Sequence, residues 1–223
     1  MIKPYFETKL GKLYHGDCST FMDDMILDST TVDLVLTDPP YGIGEAAGKN
    51  KSRSKAAVAK DYGNLDWDNS PPDDHVIYQM RTVGKHQIIF GGNYFDLPPT
   101  PCWIVWDKLN GNNDFADCEL AWTNFKTAVR KIDWRWAGML QGNMKEKETR
   151  VHPTQKPVAV MKWIIERYSK DGDTIMDPFL GSGTTALACE QLNRKWVGIE
   201  REEQYCEIVA KRLSEPMQKS LFV

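Results

Sequence analysis

The chain has 223 residues, of which 41% are hydrophobic and 26% are charged. This composition is typical of a globular protein with a large apolar core and excludes wholesale disorder. The length suits one α/β domain and is short for two. No uncharged apolar run approaches the roughly 18 residues that span a bilayer, and no signal-peptide core follows Met1, so we expect an intracellular, cytoplasmic protein.

The cysteines and histidines form no metal-binding pattern. The five cysteines are widely scattered, and no pair has the spacing of a CxxC clip. The four histidines likewise form no ligand pair at helical spacing. We therefore expect neither a disulfide framework nor a zinc site, and we expect metal-independent chemistry.

Positive charge is concentrated in two segments, although the net charge of −3 argues against a nonspecific nucleic-acid coat protein. Residues 45–60 hold five basic residues against one acid, and residues 126–150 hold seven against three. Each segment therefore carries a local charge of +4. Two such basic islands suit localized contact with a polyanion, but either one alone is explained equally well as a solvated surface.

Short apolar runs predict eight strands, and periodic apolar positions predict four helices. The strands are expected near residues 12–15, 32–37, 87–90, 102–106, 119–122, 132–136, 174–176 and 196–199. The helices are expected near residues 73–83, 157–168, 184–192 and 203–213, with Pro157 in the first turn of the third. Strands that alternate with helices predict a doubly wound α/β fold with a mostly parallel sheet. Residues 97–136 hold strand signals without a helix, which predicts an antiparallel portion.

Residues 42–69 have little hydrophobic periodicity and a centre rich in Ala, Lys and Ser. Unstructured segments of this length in a compact domain are usually functional or disordered. We expect a mobile loop here, especially over the polar and basic residues 44–60.

A glycine-rich turn follows a predicted strand in Asp177-Pro178-Phe179-Leu180-Gly181-Ser182-Gly183-Thr184. Its glycines let a ligand approach the backbone, and the next helix offers free amide donors at its N-terminus. The turn lacks the lysine of a P-loop and the third glycine of a dinucleotide fingerprint, which disfavours phosphate binding. Glu200 ends the next predicted strand, 21 residues after Phe179, where a carboxylate can accept both hydroxyl protons of a ribose. The pattern predicts a ribose-bearing ligand, although a Gly-x-Gly alone is also compatible with a simple tight turn.

The predicted strand 32–37 runs directly into Asp38-Pro39-Pro40-Tyr41. Two prolines cannot continue a central strand, so the chain leaves the sheet at its carboxyl edge, where ligands bind in open α/β folds. The loop presents a carboxylate, rigidly held carbonyl groups and an aromatic ring. These groups suit a planar heterocycle with an amino group, which would stack on Tyr41 and donate to Asp38 and to the Pro39 carbonyl. A chance Pro-Pro turn is the alternative.

The tetrad 38–41 and the glycine motif 177–183 together resemble the DNA amino-methyltransferases that use S-adenosylmethionine. The tetrad precedes the glycine motif by 139 residues, as in the permuted beta group of that family. Two further segments match the family in order, Leu13-Tyr14-His15-Gly16-Asp17-Cys18 and His152-Pro153-Thr154-Gln155-Lys156-Pro157. The resemblance spans nearly the whole chain and implies a Rossmann-like methyltransferase fold with a circularly permuted motif order.

The resemblance also implies roles for the matched positions. The catalytic residues would be Asp38, Pro39, Pro40 and Tyr41. The cofactor-binding residues would be Asp17, Cys18, Asp177, Phe179, Gly181, Ser182, Gly183, Thr184 and Glu200. Among them, Asp17 would read the adenine amine of the cofactor, Asp177 would lie near its methionine amino group, and Glu200 would bind its ribose. Residues 152–156 resemble a cofactor-side element in which His152 has a packing role rather than a catalytic one.

The implied activity is transfer of a methyl group from S-adenosylmethionine to the N6 amine of adenine in DNA, after the base has flipped onto Tyr41. Positioning and electrostatics would supply the rate, without a metal or a covalent intermediate. Asp38 favours adenine because the resembling cytosine-N4 enzymes more often have Ser at that position. Cytosine-N4 methylation is the alternative.

Two other classes of protein stay open as weaker interpretations. A noncatalytic nucleic-acid-binding protein that retains the fold would show a damaged tetrad or glycine turn, and neither is visible. A methyltransferase for protein glutamine or RNA is the other, although the resembling protein enzymes usually have Asn in place of Asp38. The family would place target recognition within residues 108–150, which leaves little room for a separate subdomain. We therefore expect either low sequence selectivity or a homodimer in which a second subunit supplies part of the readout.

Overall fold

The computed structural model describes residues 3–43, 70–111, 116–137 and 140–215. The predicted mobile loop lies outside the described residues except for positions 42 and 43, and the basic island 45–60 lies wholly outside them. The reduced recognition region 108–150 is described in part and stays a prediction.

The described residues form eleven strands and five α-helices. The strands are β1 (Phe6–Glu7), β2 (Gly11–His15), β3 (Val32–Thr37), β4 (Gly84–Phe90), β5 (Trp103–Asp107), β6 (Cys118–Thr123), β7 (Arg130–Asp133), β8 (Trp136–Ala137), β9 (Leu140–Gln141), β10 (Thr174–Asp177) and β11 (Lys195–Glu200). The helices are α1 (Cys18–Leu27), α2 (Asp74–Val83), α3 (Val158–Tyr168), α4 (Thr184–Gln191) and α5 (Glu203–Ser214).

Nine of the strands form one mixed sheet in the order β1-β2-β11-β10-β3-β4-β6-β5-β7. The run from β2 to β4 is parallel, whereas β6 lies antiparallel to both β4 and β5. This confirms the doubly wound, mostly parallel sheet and its antiparallel portion. It also confirms the permuted order, since the strand that leads into the tetrad precedes the strand that leads into the glycine turn.

Helices cover both faces of the sheet and create two apolar cores. Helices α1 and α2 bury Met22 and Met80 against one face, together with Val35 of β3. Helices α3, α4 and α5 cover the opposite face, where Ile164 packs with Leu34 of the same strand. Because successive residues of β3 enter opposite cores, the strand is apolar at nearly every position, as expected for a strand covered on both sides.

Two local predictions are wrong. Helix α1 has no counterpart among the predicted helices, because its Ser- and Thr-containing start hides the apolar period; Asp17 caps it by accepting from the Ser19 amide at 2.9 Å. The strand expected to run to Trp136 ends at Asp133. Trp136 instead begins the small β8–β9 hairpin, and its indole N–H donates to the Gln155 carbonyl at 3.0 Å.

The described residues also bear on membrane and metal binding. No helix among them has both the length and the apolar character needed to cross a membrane. In the same ranges, no group of three or more His, Cys, Asp or Glu side chains is arranged to hold a metal ion. All five cysteines are unpaired.

Gly183, which precedes α4, generates a prediction about stability. It has a φ of +82°, and an added Cβ would lie 2.9 Å from Cγ2 of the buried Val209. We expect Gly183→Ala to lower the free energy of unfolding by about 2–4 kcal/mol, because left-handed strain and overpacking add. Urea denaturation without ligand measures this change.

The matched control for that measurement is Gly172→Ala. Gly172 has a φ of +89° but nothing within 4 Å of an added Cβ. The variant should therefore lose only about 1–2 kcal/mol of unfolding free energy, which is the cost of a left-handed backbone conformation for a residue with a Cβ. Equal losses in the two variants would contradict the close packing of Gly183 on α5.

Candidate active site

The carboxyl ends of β3 and β10 meet in the middle of the sheet. The two strands are parallel neighbours, but β10 connects through α4 to β11 on one side and β3 connects through α2 to β4 on the other. Such a switch point opens a crevice at the carboxyl edge of the sheet. The Thr37 hydroxyl, at the end of β3, donates to Oδ1 of Asp177, at the end of β10, at 2.7 Å. The tetrad and the glycine turn therefore begin side by side.

A cavity at this edge is lined by both motifs. Eight of the nine predicted cofactor residues line it, namely Asp17, Cys18, Asp177, Phe179, Gly181, Ser182, Thr184 and Glu200. Gly183 does not line it and packs against Val209 instead. From the tetrad, Asp38 and Pro40 line the cavity, whereas Tyr41 and the buried Pro39 do not. Residues 152, 154, 155 and 156 line it as well, so all four matched segments contribute to one cavity.

Glu200 is tied to the glycine turn through its carboxylate. Oε2 accepts from the Gly181 amide at 2.7 Å, and Oε1 accepts from the Glu202 amide at 2.8 Å. Burial raises the pKa of Glu200, and these backbone amides oppose that rise. A carboxylate offers about four acceptor positions, so this one retains capacity for two further donors from a ligand.

Asp177 is a buried carboxylate that accepts three hydrogen bonds. Oδ1 accepts from the Thr37 hydroxyl and from the Phe179 amide at 3.1 Å, and Oδ2 accepts from the Thr185 hydroxyl at 2.6 Å. Burial raises the pKa of Asp177 to about 6 in spite of these hydrogen bonds. The site therefore carries a buried negative charge at neutral pH, held in place by hydroxyl groups.

The far end of the cavity is built at the start of α1. Asp17 caps this helix with Oδ1 alone, which accepts from the Ser19 and Thr20 amides. The adjacent Cys18 is buried, and burial followed by the nearby Asp17 raises the pKa of its thiol to about 12. This wall therefore combines a carboxylate with a neutral thiol.

Carboxylates outnumber cations in the described wall of the cavity. The carboxylates are Asp17, Asp38, Asp177, Glu200 and Glu202, and the cations are Lys156 and Arg201. Both cations already have carboxylate partners. In addition, the Thr184 hydroxyl is buried without a hydrogen-bond partner among the described residues. This wall suits a positively charged ligand with hydrogen-bonding groups and disfavours a polyphosphate.

The tetrad carboxylate is engaged on both oxygens. The Tyr41 hydroxyl donates to Oδ1 of Asp38 at 2.5 Å, and Nζ of Lys156 donates to Oδ2 at 2.5 Å. Tyr94 stacks on the Tyr41 ring with a centroid distance of 4.9 Å and an interplanar angle of 14°. Gly91, with a φ of +66°, touches the same ring and leaves no room there for a Cβ. One face of Tyr41 is therefore covered by protein.

His152 is a packing residue in this structure. It is buried, and its ring centroid lies 4.4 Å from that of Tyr205. Burial, followed by the positive charge of Lys156, lowers the pKa of His152 to about 3. The ring is therefore neutral at physiological pH, which agrees with the packing role expected from the sequence.

The sequence analysis did not place three residues near the tetrad, namely Lys108, Glu119 and Lys156. Lys156 belongs to a segment expected on the cofactor side, yet its ammonium contacts the tetrad. Glu119 of β6 and Lys108 after β5 lie outside every motif, although Glu119 bridges the two lysines. One feature of the sequence could have pointed to Glu119: it is the only charged residue in the strand Cys118-Glu119-Leu120-Ala121-Trp122-Thr123.

Comparison with known proteins gives a family match. A family model described as DNA methylase, covering N6 and N4 methyltransferases, matches residues 102–211. Over these residues the chain is similar to that family. Its motif order, with the tetrad first, resembles that of the permuted beta group.

Curated relatives match the chain along almost its whole length. The Type II methyltransferase M2.DpnII of Streptococcus pneumoniae is 28% identical, over 96% of this chain and 93% of the relative. The Type II methyltransferase M2.MboI of Moraxella bovis is also 28% identical, over 99% of this chain and 95% of the relative. The similarity therefore includes the segments on both sides of the family match.

Solved structures share its fold. The complex of M1.HpyAVI with SAM is 26% identical and has a TM-score of 0.57, over 92% of this chain and 100% of that chain. The cytosine-N4-specific PvuII DNA methyltransferase is 18% identical with a TM-score of 0.61, over 97% of this chain and 91% of that chain. At that identity the second likeness concerns the fold alone.

The raised pKa of Asp177 generates a prediction about stability and pH. The folded protein holds this proton more tightly than the unfolded chain, so Asp177 reduces stability above about pH 6 and not below about pH 4. We expect Asp177→Asn to raise the free energy of unfolding by about 1–3 kcal/mol at pH 7.5. The amide still accepts from Thr37 and can donate to the Thr185 oxygen.

Urea denaturation of the ligand-free methyltransferase at pH 4.0, 5.5 and 7.5 tests this expectation. The gain should fall below about 1 kcal/mol at pH 4.0, where the folded chain holds the proton and about half of the unfolded chains do. A gain of the same size at all three pH values, or a loss at pH 7.5, would contradict the buried charge.

Proposed function

We propose that this methyltransferase transfers a methyl group from S-adenosylmethionine to the N6 amine of adenine in DNA. The observation that carries the proposal is the single cavity lined by the tetrad carboxylate Asp38 and by the glycine turn with Glu200. A group-transfer enzyme needs its donor and acceptor sites to adjoin, because holding both reactants in place converts a bimolecular step into a unimolecular one.

S-adenosylmethionine fits this cavity by charge and by hydrogen bonding. Its sulfonium and ammonium groups are complementary to a wall with an excess of carboxylates, and it lacks the phosphates that the wall disfavours. Glu200 would hold the ribose hydroxyls, Asp17 the adenine amine and Asp177 the methionine amino group. The Thr184 hydroxyl, buried without a described partner, offers one further hydrogen bond. When bound, the cofactor supplies an electrophilic methyl group on a positively charged sulfur.

The tetrad would make the target amine more nucleophilic. The exocyclic nitrogen of adenine is a poor nucleophile because its lone pair is delocalised into the ring. A hydrogen bond from this amine to Asp38, and a second to the Pro39 carbonyl, favour a tetrahedral nitrogen with an available lone pair. These acceptors stabilise the positive charge that develops on the nitrogen during transfer. Asp38 at this position favours adenine over cytosine within the family.

Tyr41 provides the stacking surface for the flipped base. Tyr94 already covers one face of its ring, so the base is expected on the opposite face. The hydrogen bond from the Tyr41 hydroxyl to Asp38 fixes the orientation of the ring relative to the carboxylate. An extruded base would thereby be aligned with the acceptor that binds its amine.

DNA is the proposed partner of the basic residues between 126 and 150. The exposed ones are Lys126, Lys131, Arg135, Lys145 and Lys147, of which Lys131 also pairs with Asp107 and Asp133. Cations on one surface segment neutralise phosphates and make binding depend on salt. The target base lies inside the duplex until it is extruded, so contacts to the backbone must hold the DNA while the base enters the cavity.

Methylation of mixed-sequence DNA with methyl-labelled cofactor tests the proposal. Nucleoside analysis should show N6-methyladenine as the main product. Asp38→Asn should reduce methylation by at least about 100-fold, since it removes the charged acceptor, while the dissociation constant of the cofactor changes less than about tenfold. Asp28→Asn, at the exposed end of α1, is the matched control and should methylate normally.

Two results would contradict the proposal in different ways. N4-methylcytosine as the main product would make the choice of base wrong and leave the cofactor site intact. Methylation by Asp38→Asn at the rate of the unmodified enzyme would remove the tetrad from the reaction.

A further inference from the structure

A cluster of largely buried charges surrounds the tetrad carboxylate. Nζ of Lys156 lies 2.5 Å from Oδ2 of Asp38 and 3.0 Å from Oε2 of Glu119. Oε1 of Glu119 in turn lies 2.5 Å from Nζ of Lys108. The four side chains therefore form a continuous chain of alternating charge that runs from the catalytic loop to β6.

Lys156 is the most deeply buried member of this cluster. Its side chain is 7% exposed, against 18% for Asp38 and 21% for Glu119. Two ammonium groups and two carboxylates balance, and a buried cluster of this kind is strongly disturbed when one member is removed. Because Lys156 is the most buried cation of the cluster, we expect its removal to change the electrostatic environment of Asp38 strongly.

The ammonium of Lys156 is held in a fixed position. It lies 5.2 Å from the centroid of the Phe90 ring and 5.8 Å from that of Tyr41, in addition to its two carboxylate contacts. Because it takes Oδ2 of Asp38 while the Tyr41 hydroxyl takes Oδ1, it determines which oxygen is turned toward the stacking residue. Lysine is normally a flexible point charge, and here its partners remove that flexibility.

We propose, building on the methyl transfer inferred above, that Lys156 is a positioning residue whose ammonium, anchored on Glu119, keeps Asp38 ionised and oriented to accept the amine of the target base. It acts through Asp38 and forms no bond to the reacting atoms. Glu119 has the accessory role of holding the ammonium in place.

The electrostatics of the cluster support this role. The pKa of Asp38 lies above its usual value, because burial raises it, Lys156 offsets only part of that rise, and Glu119 raises it further. Burial also raises the pKa of Glu119 but is outweighed by Lys156 and Lys108, so that pKa lies below its usual value. Without Lys156, Asp38 would retain a proton closer to neutral pH. A protonated carboxyl presents an O–H group to the amine in place of one of its acceptor positions.

The groups that influence the titration of Asp38 come from several elements. Tyr41, Lys156 and Glu119 surround the carboxylate directly, and Asp177 interacts with it across the switch point. Lys108 acts at one remove, through Glu119, and the neighbouring His152 is neutral. The contribution of Asp177 is common to every variant below, so the comparison rests on shifts relative to the unmodified enzyme.

The test is the pH profile of single-turnover methyl transfer, with cofactor and DNA saturating. Lys156→Met should lower the rate at least tenfold at pH 7 and move the acidic limb of the profile upward by at least one pH unit. The rate should recover as the pH rises, because hydroxide restores the Asp38 carboxylate. Cofactor affinity, measured by calorimetry, should change less than threefold.

Three further variants separate charge from packing. Lys156→Arg retains the charge, so its acidic limb should stay within 0.3 pH unit of the unmodified enzyme, as set by the same electrostatic argument. Glu119→Gln removes a like charge and retains an acceptor, so its acidic limb should move downward, opposite to that of Lys156→Met. Lys85→Met is the matched control, since Lys85 lies exposed at the start of β4 and pairs with Asp33.

The double variant Lys156→Met with Glu119→Gln removes one cation and one anion and keeps the cluster balanced. It keeps the test decisive if Lys156→Met fails to fold, and its acidic limb should lie between those of the two single variants. An acidic limb unmoved by loss of Lys156, even with a reduced rate, would overturn the proposal and leave Lys156 a structural residue. Failure of the unmodified enzyme to methylate adenine would instead reject the proposed function, so the two failures are distinguishable.

Discussion

The parallel pairing of β3 with β10 is the constraint on which the site depends. Ile175 lies opposite Leu34, and Met176 lies opposite Val35, so the strands end side by side. A slip of one residue would exchange the side chains that enter the two cores, which the packing of both faces prevents. This register brings Thr37 within hydrogen-bonding distance of Asp177 and sets the tetrad beside the glycine turn. The proposed donor and acceptor sites therefore adjoin because the sheet can pair in one way.

The buried carboxylates of the site lower the stability of the folded protein. Burial raises the pKa of Asp38, Asp177 and Glu200, so each carboxylate costs free energy when it ionises in the folded protein. Hydroxyl groups, backbone amides and one lysine offset part of that cost. Under the proposed function, the remaining negative potential is what a cationic cofactor and a developing ammonium-like nitrogen require. The site is thus assembled before its ligands arrive, which is the basis of electrostatic catalysis.

Local patterns in the sequence predicted most of the sheet and helices, because their apolar periods and turn residues are contiguous. They failed for α1, because its polar start gives a weak contiguous signal. They also failed for Trp136, whose position is set by a tertiary hydrogen bond to the Gln155 carbonyl. The cavity brings together most residues of the four motifs. The pairing of Lys156 with Asp38 could not be predicted, since 118 residues separate them and only the folded sheet makes them neighbours.

The most direct test of the account is a crystal structure of the enzyme with DNA and a nonreactive analogue of S-adenosylmethionine. The account predicts an adenine extruded from the duplex and stacked on the face of Tyr41 opposite Tyr94, with N6 within hydrogen-bonding distance of Asp38. The analogue should occupy the cavity with its ribose on Glu200, while Lys156 stays bonded to the other carboxylate oxygen. A target amine placed away from Asp38, or an analogue bound outside this cavity, would contradict it.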